Sequence, residues 1–124
     1  MKITRQKIKW WGLVILWMAF IFYLSHQPSL SSGLQVYWDL ILRKIAHITE
    51  YAILTFLLIK ALGEHNLTGK QIILLSIIVA VLYAISDEYH QTFIFGRQGA
   101  VKDVLIDSVG ILFTAWRCKK KMLK

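Results

Sequence analysis

Hydrophobic and polar positions along this chain fall into four long apolar runs separated by short polar stretches. The first, residues 10–24, reads WWGLVILWMAFIFYL behind Lys2, Arg5, Lys7 and Lys9. Alone, that resembles the charged and apolar regions of a signal peptide. The following SHQPSLSSG shows no clear small-residue cleavage pattern, and the run is aromatic at both ends. It is read as a retained membrane helix, with Lys9 and the Trp10–Trp11 pair as interface anchors. The second run, residues 39–62, is long enough at ~1.5 Å per residue to cross ~30 Å of hydrocarbon. The third covers residues 71–89. The fourth, residues 104–116, is short for a full span, but the basic tail behind it suits a membrane-face anchor. Pro28 among Ser and Gly marks one connection and GEHNLTGK, residues 63–70, the next.

The pattern predicts an all-α polytopic membrane protein: a bundle of about four transmembrane helices in a single domain, 1–124. The helices are expected at about 8–25, 39–62, 71–89 and 102–117. Composition agrees, since 56% of the 124 residues are hydrophobic and the mean hydropathy is +0.53. A soluble domain of this size needs a more polar surface. The single Cys118 excludes an intramolecular disulfide.

The net charge of +8 raises nucleic acid as a partner, but the cations cluster at the helix ends, as topology signals do. No nucleic-acid partner is therefore expected. With the N-terminus inside, Lys2, Arg5, Lys7, Lys9, Lys60, Lys70, Arg117, Lys119, Lys120, Lys121 and Lys124 lie on the inner side. Arg43, Lys44, Arg97 and Lys102 fall in the outer half. The positive-inside rule then predicts a multi-pass protein of the cell membrane with both termini cytoplasmic. Six of the seven carboxylates, all but Glu64, also fall in the outer half. The rule does not cover carboxylates, so their one-sidedness needs another explanation.

The ionisable residues converge by helical spacing. In DLILRKIAHITEYAILTFLL, residues Arg43, Lys44, His47, Glu50 and Tyr51 occupy roughly one third of the circumference. In YAISDEYHQ, residues Tyr83, Ser86, Asp87, His90 and Gln91 share one face by i, i+3, i+4 spacing, with Glu88 off it. In the fourth segment Asp103 and Asp107 stack at i, i+4, with Gly110 and Thr114 below them to allow close backbone approach. Arg43 and Lys44 are the cations expected to meet these aspartates. A charged residue at mid-membrane depth costs about 2.5–3.5 kcal/mol on insertion scales, so such residues usually face a protein interior or a wet cavity. The expected feature is an outward-facing polar pocket, to which Tyr51, Glu88, Arg97 and Asp103 contribute.

These residues resemble the VanZ-like family of small bacterial membrane proteins over roughly residues 28–114. The resemblance rests on Lys44, His47 and Tyr51, on Ser86, Glu88, Gln91, Phe93 and Arg97, and on Asp103, Asp107 and Gly110. Two positions depart from the expected pattern: Phe95 stands where a proline is expected, and Thr114 where a second small residue is expected. The family is named for a member associated with teicoplanin resistance, so the resemblance implies a cell-envelope setting without specifying a reaction.

Three functions fit the residues. The first is a protein that binds or modifies an envelope amphiphile. Arg43, Lys44 and Arg97 would meet an anionic lipid or a lipid-linked cell-wall precursor, with Tyr51, Ser86, Asp87, Gln91 and Asp107 around it. The second is a membrane-embedded hydrolase or transferase acting on a lipid-linked phosphate. His47, Glu50, Glu88, His90 and Asp103 are its acid–base candidates. A metal-dependent form would draw ligands from His47, Glu50, Asp87, Glu88, His90, Asp103 and Asp107, although neither HExxH nor a cysteine pattern is present and no cofactor is specified. A triad of Ser86, His90 and Asp87 on adjacent turns of one helix has poor geometry. The third is a structural polar network whose function lies with a partner.

Overall fold

In a computed structural model the chain forms four α-helices: α1 (Arg5–Ser25), α2 (Val36–Leu62), α3 (Gly69–Gln91) and α4 (Val101–Met122). The structure describes residues 5–25, 36–91 and 101–122. The Pro28 connection, Phe93, Phe95 and Arg97 lie outside them. For Arg43, Gln91 and Asp103 the helical backbone alone is described.

Each helix runs a few residues beyond its sequence estimate, for local reasons. At the start of α3, Gln71 N–H donates to Thr68 Oγ1 at 3.2 Å while Thr68 N–H donates to Gln71 Oε1 at 3.0 Å. This reciprocal capping box satisfies two N-terminal donors and sets the helix start at Gly69. Thr68→Ala should cost about 1 kcal/mol. The expected signature is a lower melting temperature with unchanged helix content in detergent. At the other end of the chain, Arg117, Lys119 and Lys120 continue α4 as strong helix formers, and their charges complement the C-terminal end of its dipole.

Arg5–Leu24, Lys44–Leu62 and Gly69–His90 are long and apolar enough to cross a membrane. α4 has the length, 22 residues or roughly 33 Å. Its composition falls short because Asp103 and Asp107 interrupt one end and a basic cluster closes the other.

The helices alternate in direction. Trp10, Lys60, Ile72 and Cys118 border one groove, so the start of α1, the end of α2, the start of α3 and the end of α4 share one end. The described Lys and Arg side chains of that end, from Arg5 to Lys120, form a basic collar. α4 packs most extensively on α2 and then on α3, while α1 leans mainly on α2.

Mostly small residues line the packed faces of α3 and α4. Ile72, Ser76, Ala80 and Ala84 make a buried stripe on α3, and Gly110, Ile111 and Ala115 make one on α4. Without a hydrophobic drive between helices in lipid, such stripes let dispersion and interhelical polar contacts hold the bundle. Tyr51, Leu54, Leu58 and Ile111 fill the interior, whereas Leu16, Leu82, Leu105 and many other apolar side chains are exposed. Apolar groups outside and acids inside is the arrangement expected of a chain whose solvent is lipid.

Candidate functional site

The buried ionisable side chains gather where α2, α3 and α4 meet, in the half of the bundle away from the basic collar. From α2 come Glu50 and Tyr51, both buried, with His47 half-buried one turn earlier. From α3 come Asp87 and Glu88, 2% and 5% exposed, and from α4 comes Asp107, 1% exposed. Glu50 lies ten residues before Lys60, so it sits roughly 15 Å along the axis from the collar.

The geometry joins all three helices. His47 Nδ1 is 3.7 Å from Asp107 Oδ1 and 3.8 Å from Glu50 Oε2, within ion-pair range but too long for a hydrogen bond. The Tyr51 hydroxyl donates to Asp87 Oδ2 at 3.0 Å, linking α2 to α3. One donor atom from each of His47, Glu88 and Asp107 falls within 4.8 Å of the others. A separation of 4.8 Å is what two ~2.4 Å metal–oxygen bonds span end to end, so these three side chains are also a geometrically possible metal-ligand set.

α4 reaches this depth because Gly110 sits one turn below Asp107. A Cβ at Gly110 would land on the backbone carbonyl of Ile48 in α2. The close approach expected there is observed, and it brings Asp107 beside His47.

Helix α1 braces the site from outside. Trp17 Nε1–H donates to the Glu50 carbonyl oxygen at 2.9 Å, and the Tyr83 hydroxyl donates to the Met18 carbonyl oxygen. Trp17 was not among the sequence candidates. The available signal was a mid-span indole, whose N–H needs an acceptor when it is removed from water.

Sequence spacing misjudged the buried arc of α3. The neighbours cover an arc rotated by roughly 60° from the face chosen on i, i+3, i+4 spacing. It is centred nearer the small residues Ala80 and Ala84, which takes Glu88 inward with Asp87. Ser86 is left exposed, as is His90, whose ring packs edge-on against Phe22 and Tyr89 at 5.8 and 6.2 Å. Ser86, His90 and Asp87 therefore do not assemble into a triad. On α2, Lys44 is half-buried and makes no ion pair with Asp107 among the described residues; His47 occupies that position instead. Thr49 and Ser108 donate to the carbonyl oxygens of Ile45 and Val104, each one turn earlier, and take no part in the cluster.

Residues 10–122 match the VanZ/LLP1 family. The chain belongs to the VanZ/LLP1 family. Neither a functionally curated protein nor a solved structure gives a significant match. Within this VanZ/LLP1 chain, the family match covers every residue of the polar cluster and the Trp17 brace as well. Three helices fit to cross a bilayer and the family match together make it a VanZ-like membrane protein.

Proposed function

We propose that this VanZ-like protein acts in the cell envelope, where the centre formed by His47, Glu88 and Asp107 binds and chemically modifies an amphiphile. The single observation carrying this reading is that one donor from each of three helices converges within 4.8 Å inside an apolar bundle. Charged groups at such depth are costly to hold, and in membrane proteins they usually mark functional sites. In this reading Glu50 and Asp107 orient the His47 imidazole, and His47 moves a proton to or from the reacting headgroup. Arg43, Lys44 and Arg97 meet the anionic part of the amphiphile. The basic collar faces the cytoplasm under the positive-inside rule, so both termini are cytoplasmic and the polar centre opens toward the outer leaflet. The family is named for a member associated with teicoplanin resistance, which makes teicoplanin susceptibility the phenotype to measure.

The test compares envelope lipid profiles and teicoplanin susceptibility in a susceptible bacterium expressing wild-type, His47→Gln or Glu88→Gln protein. Wild type should change the abundance of at least one amphiphile and lower susceptibility. Both variants should lose these effects, with a rate loss on the order of 10²-fold or more for His47→Gln. Their membrane abundance and melting temperature should stay near wild type. Identical lipid profiles in all strains would sink the enzymatic reading. A loss that only tracks abundance would point to a structural network.

A metal-assisted form of the same chemistry is favoured by the His47, Glu88 and Asp107 donor set. Elemental analysis of purified protein should then find one divalent ion per chain in wild type and none in His47→Ala. A metal-free wild type that still alters the lipid profile would exclude this form.

A further inference from the structure

At the basic end of the bundle, away from the polar centre, α3 and α4 border a groove of about 810 Å³. Its walls divide by chemistry. Lys70, at the start of α3, and Lys119, near the end of α4, stand at its rim beside Thr68 and Gly69. Ile73, Leu74 and Ile77 form the strip below. Lys70, Ile73, Leu74 and Ile77 follow i, i+3, i+4, i+7 spacing, so they make one continuous stripe on the outer face of α3. This stripe is distinct from the buried one of Ile72, Ser76, Ala80 and Ala84 that packs into the bundle.

We infer that this groove holds an anionic phospholipid, with its phosphate between Lys70 and Lys119 and an acyl chain along Ile73, Leu74 and Ile77. The rim is cationic, and among the described residues neither lysine forms an ion pair. Lys60 and Lys120 differ: each lies over an aromatic ring, at 5.5 Å from Phe56 and 4.6 Å from Trp116 respectively. The apolar strip runs roughly 10 Å along the axis below Lys70, in a helix fit to cross a membrane. A soluble anion would leave that strip without a partner. A second copy of the chain meeting it by two-fold symmetry would bring lysine against lysine. A lipid with a negative headgroup satisfies both walls, as basic pockets between membrane helices commonly do. Because the groove lies at the opposite end of the bundle, its occupancy is independent of the chemistry proposed for His47.

The test is native mass spectrometry of the purified full chain in detergent, titrated with phosphatidylglycerol or with phosphatidylcholine carrying the same acyl chains. Wild type should retain one phosphatidylglycerol per chain and release phosphatidylcholine. Each lysine near an anionic headgroup contributes about fivefold in affinity, so Lys70→Gln with Lys119→Gln should weaken phosphatidylglycerol retention about 30-fold. Lys120→Gln, which removes a lysine stacked on Trp116 outside the groove, should leave retention unchanged. Equal retention of the two lipids by wild type would overturn the inference and needs no variant to fold. So would a double variant that keeps the lipid, or a dimer forming in place of lipid binding.

Discussion

Gly110→Val is expected to destabilise the protein by on the order of 3 kcal/mol, a large loss for a chain of this size. The cause is geometric. A Cβ at position 110 meets the carbonyl oxygen of Ile48, and also lies 3.1 Å from its carbonyl carbon and 3.2 Å from its Cγ2. A side chain can rotate away from a small intrusion, but a helix backbone can yield only by moving the whole of α4 off α2. That is the most extensive contact in the bundle. Valine adds a second branch and few rotamers with which to avoid the clash. Gly110→Ala should show the same direction with a smaller loss. Intrinsic tryptophan fluorescence during heating in detergent, together with membrane abundance, measures both. The effect should reach the polar centre too, because Asp107 sits one turn from Gly110 and moves with α4, away from His47. A Gly110→Val protein that melts with wild type would show that the helices do not pack this closely.

Much of this arrangement was legible in the sequence. Long apolar runs report membrane helices directly, since lipid leaves few alternatives for satisfying backbone polar groups. The pairing of Asp107 with Gly110 also showed, because a small residue one turn from a buried acid is a local and periodic signal. The orientation of α3 was harder to read. Its moment is weak because residues on the lipid side and the protein side are almost equally apolar. Spacing alone then could not choose between the arc holding Ser86 and the one holding Glu88. The small residues Ser76, Ala80 and Ala84 were the better guide, as they mark where a neighbouring backbone comes close. The Trp17 brace was hidden for a different reason. Tryptophan is common near membrane interfaces, so its identity alone does not reveal a bond to Glu50 on another helix. The capping box at Thr68 and Gln71 was present as T-x-x-Q but straddled the boundary between a stretch read as a connection and the third apolar run.

Removing the Tyr51 hydroxyl should separate structure from chemistry at the centre. Tyr51 is fully buried, and its hydroxyl donates to Asp87 Oδ2 at 3.0 Å between α2 and α3. Interhelical hydrogen bonds within membranes average ~0.6 kcal/mol in double-mutant cycles, with the strongest near ~1.7 kcal/mol. A fully buried bond to a carboxyl group belongs at the upper end of that range, so the expected coupling between Tyr51→Phe and Asp87→Asn is about 1.5 kcal/mol. The ring stays in Tyr51→Phe, which preserves packing on Leu54 and Tyr83 and isolates the hydroxyl. Unfolding equilibria of the four proteins in detergent or bicelles give the coupling, and a value near zero would remove this bond from the account. The same variants then weigh the proposed roles against each other. If the polar cluster only ties helices together, Tyr51→Phe and His47→Gln should lose function in proportion to the stability each loses. If His47 moves protons on a substrate, His47→Gln should abolish function at nearly full stability. Tyr51→Phe, which touches Asp87 rather than the imidazole, should then lose stability first and keep most of its function.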